Sequence, residues 1–292
     1  MVENTGKDKV FNRLVYAGLF VYIFATALPL LHVLANALSS PEMVNKGKVG
    51  LWPRQLNFSG FGQVLADSDI LRGFLMTFVY TLLGTLLQLV LQFTAAYSLS
   101  RRDLPFKRFW IFFFLIPMFV SGGMIPTYLI VKGLRLMNTF LAMIIPGCVG
   151  IYNIVIIRTY MGTAIPWELQ EAARIDGASN LRIFLFIVMP LATPILAVMT
   201  LYGIVGYWNS YFNALLYLTN RKLYPLQMVL QKILVANAGA TVGGSIGNSE
   251  QQLKSESLKY VVMVVSCAPI LFLYPFFQRF FEKGLMIGGL KG

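Results

Sequence analysis

The polar run Glu171-Ala172-Ala173-Arg174-Ile175-Asp176-Gly177, with Ile187 and Pro190 downstream, lies in a chain that is otherwise strongly apolar. Pro166 suits the first position of a helix, where its missing N–H costs nothing. A helix over Trp167–Asp176 follows, and Gly177 supplies the left-handed stop. Ser179 or Asn180 caps a second helix through Leu181–Val188, which runs into Pro190. Glu168, Glu171 and Arg174 are three apart and form a polar edge, while Ala172 and Ala173 keep one side slim enough for close approach by another protein. The stretch therefore predicts a helix, a tight turn and a second helix lying against a membrane. A small helix with a fixed elbow can sit in a cleft and act as a rigid lever.

The flanking sequence supplies the membrane. The chain is 57% hydrophobic and only 12% charged, against about 25% charged in an ordinary soluble domain. Six apolar runs approach the roughly 20 residues needed to cross a bilayer: Tyr16–Leu38, Phe74–Leu99, Phe109–Val131, Phe140–Ile157, Leu191–Leu218 and Tyr260–Phe281. The first is too long for the 7–15-residue apolar core of a signal peptide and is read as a retained span. The expected fold is all-α and integral to the membrane, with six transmembrane helices and a cytoplasmic helix-turn-helix loop (158–188) between the fourth and fifth. Residues 1–15 form a cytoplasmic tail, 16–281 the transmembrane domain and 282–292 a cytoplasmic C-terminal tail. Six spans put both termini on one side. The basic loop Arg101–Arg108 favours placing that side in the cytoplasm, although the overall bias of Lys and Arg is small.

The net charge of +12 does not indicate nucleic-acid binding, because the basic residues are spread over loops and form no single patch. Cys148 and Cys267 both fall in apolar runs and read as small buried hydrophobes; the one histidine, His32, has no partner at metal-ligand spacing. All twelve acidic residues lie outside the six runs, which argues against an ion-coupled secondary carrier, since such carriers place ionisable relays within their spans. A membrane enzyme would need a nucleophile–base pair or a metal cluster, and neither can be assembled here. Apart from Arg279, near the end of the last run, the runs hold no Lys or Arg, which points to a neutral or weakly contacted cargo.

Within the runs, polar side chains mark faces turned toward protein or a cavity. Gln88 and Gln92 are four apart and share one helix face. The third run holds Pro117, Ser121-Gly122-Gly123 and Pro126, which predict a kink or an unwound turn. The fifth run combines hydrogen-bonding and aromatic groups at Tyr207, Trp208, Asn209, Tyr211 and Asn213. These groups suit either a sugar or an outer aromatic belt contacting a sister subunit. Together with Gln88, Gln92 and Tyr128 they are the candidate substrate pathway. The polar stretch Ala238–Ser257 predicts an irregular, mobile external segment.

The spacing of Glu171-Ala172-Ala173, Gly177, Ile187 and Pro190 resembles the signature loop of permease subunits in bacterial ATP-binding-cassette (ABC) importers, with Met189 where that pattern usually has Leu. Further stretches resemble carbohydrate-uptake permeases of the maltose-permease type, a branch of the binding-protein-dependent transport inner membrane components. They are Gly47–Pro53 (GKVGLWP), Ala95–Arg101 (AAYSLSR), Ser121–Tyr128 (SGGMIPTY), Trp208–Leu215 (WNSYFNAL) and Phe281–Gly292 (FEKGLMIGGLKG). More narrowly they are similar to permeases of complex-oligosaccharide importers. The resemblance implies a multi-pass subunit of the bacterial plasma membrane that is itself no enzyme and binds no cofactor. It implies a second homologous permease, two copies of a cytoplasmic ABC ATPase that bind ATP-Mg, and an extracytoplasmic sugar-binding protein. Consistently, the chain has no G-x-x-x-x-G-K-[ST] phosphate loop. ATPase coupling is expected at Glu168, Glu171, Ala172, Ala173, Asp176 and Gly177, and a C-terminal ATPase contact at Gly288, Gly289 and Lys291. An importer of the same build with a non-sugar cargo is the nearest alternative.

Overall fold

The computed structural model describes residues 6–242 and 249–289. Among these residues the chain is helical, with a single isolated bridge between Ser39 and Leu56 in place of any sheet. Helix α1 (Gly6–Ala37) takes up the first apolar run, followed by the short helices α2 (Pro41–Asn45) and α3 (Ser59–Ala66). Helix α4 (Ser68–Ser100) is the second run, unbroken.

The next three runs are not single helices. The third divides into α5 (Lys107–Phe119) and α6 (Met124–Gly133), which meet at 111°. Pro117 weakens the end of α5, and Gly123 turns the chain with a φ of +81° that favours glycine. The predicted kink is thus a bend of more than a right angle. The fourth run divides into α7 (Leu141–Ile144), which tightens into a 3₁₀ turn at Ile145–Gly147, and α8 (Ile151–Ala164), bent by 53°. Pro146 lacks the N–H that would continue α7.

Helix α9 (Trp167–Ile175) is the predicted first helix of the loop between the fourth and fifth runs. Then come α10 (Asn180–Ile183), a π turn over Phe184–Val188 and α11 (Met189–Leu191), bent by 84° against α12 (Thr193–Trp208). The fifth run breaks again at Asn209–Ser210 before α13 (Tyr211–Tyr217). Helices α14 (Leu226–Val242) and α15 (Ser249–Gly289) finish the chain. Of the segment expected to be mobile, 238–257, residues 238–242 and 249–257 are helical; residues 243–248 lie outside the described residues. Three helical stretches are long and apolar enough to cross a membrane, and six are if each bent pair counts as one span.

The residues fall into two compact units, Met1–Ser68 with Leu230–Ala268 and Asp69–Val229 with Pro269–Gly292. In the first, Ala35, Val44 and Val49 form a small core with Met43 and Tyr260. The histidine has a structural role there. His32 Nδ1 donates to the Gly50 carbonyl (3.0 Å), and the Asn36 amide donates to the His32 carbonyl (2.7 Å), pinning the loop after α2 to α1.

The second unit is built around one face of α4. Its buried positions, Thr77, Thr81, Gly84, Gln88, Gln92, Ala96 and Leu99, recur at three- and four-residue spacing and are mostly small or polar. Small residues let helices approach closely in a bilayer, where no hydrophobic effect drives them together. At Gly84 an added Cβ would lie 2.6 Å from the Tyr207 ring, and at Gly203 it would lie 2.8 Å from Thr85 Cγ2. Below this seam Phe93, Tyr97, Ile154, Ile157, Phe184 and Met199 form the principal core.

Candidate functional site

The lever has the predicted parts. Pro166 stands just before the first helical residue, as the N-cap, one position earlier than expected. Gly177 adopts φ +80° with nothing within 4 Å of where a Cβ would sit, so glycine is required there by conformation and not by space. Ser179 Oγ accepts the Arg182 N–H (3.4 Å) at the start of α10. The second helix differs from expectation in turning π over Phe184–Val188, just before Pro190, which has no N–H to donate.

One face of α9 is turned to the chain's own core and the other to the outside. Gln170 is buried, with Oε1 lacking a partner, and Ala173, Ala178 and Ile187 pack on the principal core. Glu168, Glu171, Ala172, Arg174, Asp176 and Gly177 are exposed. So are apolar groups an isolated soluble surface would hide: Leu169, Leu181, and above all Ile175 and Phe106, each 83% exposed. A surface of this kind, charged at Glu168 and Glu171 and apolar between, fits a protein partner.

Beneath α9 lies a cluster that sequence reading did not single out. Asp103, in the loop between α4 and α5, accepts from Arg101 through Nε (2.8 Å) and Nη2 (2.7 Å), and from Arg174 Nη2 (2.7 Å). Arg101 is buried; its Nη1 donates to the Tyr97 hydroxyl (2.8 Å), and its guanidinium lies 5.6 Å from the centroids of both Tyr97 and Trp167. Arg102 lies 6.0 Å from the Trp167 ring. The hydrogen bonds from Arg101, then those from Arg174, hold the Asp103 carboxyl well below the usual carboxylate range, and the same partnership raises the Arg101 guanidinium further. Lys107 Nζ donates to the Ser100 and Arg101 carbonyls (3.2 and 2.7 Å), and Arg158 Nε to that of Leu99 (3.3 Å). Cations thus satisfy the last carbonyls of α4, where the helix dipole favours them.

The candidate pathway residues do not converge on one cavity. Gln88 and Gln92 are buried on the α4 face, as their spacing predicts, and Gln92 Nε2 donates to the Cys148 carbonyl (3.4 Å). The buried Tyr207 hydroxyl donates to the Ile144 carbonyl (2.9 Å). Both carbonyls flank the break in the fourth run, so these side chains replace lost helix bonds. Trp208 is buried edge-on to Phe74 at 5.7 Å and lines an apolar cavity of about 530 Å³ with Phe78, Thr85, Phe272 and Phe276. Asn209 is exposed and donates to the Val205 carbonyl (2.9 Å). Tyr128, half-buried, stacks on Tyr217 at 6.4 Å, and Tyr211 and Asn213 are half-buried. Gly288 and Gly289 end α15; Lys291 lies outside the described residues.

At the other end of the second unit, the loops after α6 and α13 are locked together. Asn138, at φ +59°, accepts from the Thr219 and Asn220 N–H groups (3.1 and 2.8 Å), and its own N–H donates to the Tyr217 carbonyl (2.8 Å). The Tyr80 hydroxyl donates to the Leu223 carbonyl (2.9 Å). The exposed Lys132, Arg135, Arg221 and Lys222 belong to these loops, and no acidic residue lies between Asp103 and Glu168 or between Asp176 and Glu250.

Its several long apolar helices and bent helix pairs define a multi-pass membrane protein. Residues 88–287 match the family of binding-protein-dependent transport system inner membrane components, and the chain belongs to that family. It is a non-catalytic permease subunit of an ABC importer of the bacterial inner membrane. Among its relatives, the polygalacturonan/rhamnogalacturonan transport system permease protein YtcP of Bacillus subtilis is 34% identical over 98% of this chain and 100% of its own length. Protein LplC of the same organism is 35% identical over 100% of this chain and 98% of its own. A chain from the crystal structure of a bacterial ABC transporter involved in the import of the acidic polysaccharide alginate superposes with a TM-score of 0.84. It is 29% identical, over 95% of this chain and 98% of that one.

Proposed function

We propose that this chain is the membrane-spanning subunit of an ATP-driven, binding-protein-dependent oligosaccharide importer. Its α9–Gly177–α10 elbow transmits ATPase closure to the spans. The observation that carries the reading is the outward-facing α9, whose exposed Glu168, Glu171, Ala172 and Ile175 sit on a helix that packs into the chain's own core through Gln170 and Ala173. Two ATPase copies binding ATP-Mg, a second permease and an extracytoplasmic binding protein complete the unit. The loop 158–188 and both termini lie in the cytoplasm, and residues 16–281 work as one permease domain, with 282–292 reaching the ATPase through Gly288, Gly289 and Lys291.

The cargo is an acidic oligosaccharide. Two similar proteins are named for polyanions, polygalacturonan/rhamnogalacturonan and alginate. On this chain the exposed Lys132, Arg135, Arg221 and Lys222 supply positive charge, which would draw carboxylates to the outer face. Such steering places the charge outside the spans; of the six apolar runs only the last holds a basic residue, Arg279, near its end. The substrate-pathway assignment narrows to Asn209, Tyr211, Asn213 and Tyr128, which keep exposed or half-buried polar groups. Reconstitution of the complex in liposomes tests the reading. ATP-dependent uptake of an oligogalacturonide, lost at high salt and absent for a neutral maltooligosaccharide, is expected; uptake without ATP or without the binding protein would overturn it.

A further inference from the structure

Helix α9 is joined covalently to the fourth and fifth runs, which flank it in sequence. The Asp103 cluster joins it to a third element. Asp103 Oδ2 is shared between Arg101 Nη2 and Arg174 Nη2, both at 2.7 Å, so one carboxylate oxygen ties α9 to the residue that follows α4. Trp167, at the other end of α9, lies against the same Arg101 guanidinium. From Arg101 the contacts continue to the Tyr97 hydroxyl, one turn back in α4, and the Tyr97 ring packs on Phe184 in the π turn, with centroids 4.9 Å apart and the planes tilted by 34°. The two ends of α9 are therefore both clamped to the end of α4, and α4 to the start of the fifth run.

We propose that Asp103 is a positioning residue that latches α9 to the C-terminal end of α4, so that displacement of the lever moves span two directly. This rests on reading α9 as the ATPase-coupling helix. Magnitudes favour a mechanical role over a merely decorative ion pair. An exposed pair such as Arg174–Asp103 contributes little alone, since half of Arg174 is exposed. Arg101 is different: its side chain is 9% exposed and its fork is held bidentately by Asp103. Removing Asp103 strands a buried cation, whose burial is costly without a partner. The whole cluster then loosens together, and Trp167 loses the guanidinium it rests on.

The test uses the assembled transporter in lipid nanodiscs and in liposomes, with Asp103→Asn, Asp103→Glu, Arg174→Gln and the Asn/Gln double variant. Hydrogen exchange over 167–175 is expected to be about tenfold faster in Asp103→Asn, a local opening, about two- to threefold faster in Arg174→Gln, which breaks only the half-exposed pair, and close to wild type in Asp103→Glu. The double variant should be no faster than Asp103→Asn, because Asp103→Asn already removes the contact that Arg174→Gln breaks. Solute taken up per ATP hydrolysed should fall severalfold in Asp103→Asn while ATP hydrolysis stays within about twofold, the signature of a lever that slips. Unchanged exchange over 167–175, or additive effects in the double variant, would overturn the latch. Should Asp103→Asn fail to assemble, Arg174→Gln, at a half-exposed position, decides by the same exchange measurement. A wild-type complex that takes up nothing would sink the importer reading, while the exchange comparison would still decide the latch.

Discussion

The Tyr207 hydroxyl donates to the Ile144 carbonyl at 2.9 Å, so a side chain of the fifth run closes the break in the fourth. Ile144 lost its helix partner because the chain tightens at Ile145–Gly147 and Cys148 N–H turns to Ile145 instead. Tyr207→Phe leaves that carbonyl without its partner, at a cost of about 1–3 kcal/mol. The detergent-purified complex should melt a few degrees lower, with ATPase docking retained; an unchanged melting temperature would show that the bond contributes nothing.

The same ring sets a limit on Gly84. A Cβ there would meet Tyr207 ring atoms at 2.6 and 2.8 Å, so Gly84→Ala should destabilise by about 1–3 kcal/mol through overpacking. Gly203→Ala meets Thr85 in the same way, but Thr85 can yield: its buried hydroxyl has no hydrogen-bond partner. The double variant Gly203→Ala/Thr85→Ala should therefore recover most of the loss in thermal stability. Gly206→Ala, with nothing within 4 Å, should have little steric cost and serves as the control.

At Gly177 the reasoning is conformational. A β-branched residue held at φ +80° costs about 1–2 kcal/mol, and proline cannot adopt that angle at all. Gly177→Pro and Glu171→Lys are expected to abolish uptake with normal amounts of protein in the membrane. Gly177→Asn should retain the most activity of any substitution there, since asparagine tolerates the left-handed region. Uptake assays beside immunoblots of membrane fractions separate these effects from failed insertion.

Acid should spare the α9 clamp for longer than carboxylate chemistry alone suggests. Asp103 titrates below its unfolded value because Arg101, then Arg174, hydrogen-bond its charged form. A depressed carboxylate contributes stability that is fully present above the unfolded pKa, about 3.9, and is lost only as pH falls through the folded value. Protection of 167–175 against exchange, corrected for intrinsic rate, should thus be flat from about pH 8 to pH 5. The difference between wild type and Asp103→Asn should narrow only at more acid pH. A midpoint near pH 6 would mean another group governs the cluster.

Asn138→Ala removes the acceptor shared by the Thr219 and Asn220 N–H groups and places alanine at φ +59°. The rim carrying Arg135 and Arg221 should loosen, raising the half-saturating concentration of an acidic oligosaccharide severalfold while maximal ATP hydrolysis changes little. Arg221→Gln should act on the same parameter and flatten its salt dependence.

Local chemistry made the lever legible. Gly177, Ser179 and the extent of α9 follow from rules that act within one or two turns, and the Gln88–Gln92 face follows from helical spacing alone. The fold class and the importer function were legible too, because the resemblance ran along most of the chain. What could not be read was contact between distant segments. Nothing near Asp103 in sequence announces Arg174, and a loop of Arg, Asp and Lys looks like any solvated turn. The breaks in the fourth and fifth runs were missed because hydropathy records composition and not direction: Pro146 and Asn209 sit within runs that remain apolar through the bend. Tyr207 and Gln92 were read as pathway residues for a related reason. A polar group in a span must face something, and here that something is a backbone carbonyl freed by a bend the hydropathy did not show.

Ile175 on α9 and Phe106 at the start of α5, each 83% exposed, also bear on how much of this subunit a cell can hold. A copy made without its ATPase would carry an uncovered greasy edge at the membrane surface, adhesive to its own kind and open to proteolytic disposal. Abundance of the chain should therefore track that of its ATPase, with surplus copies degraded, so that stoichiometry is enforced by turnover after synthesis and not by synthesis alone.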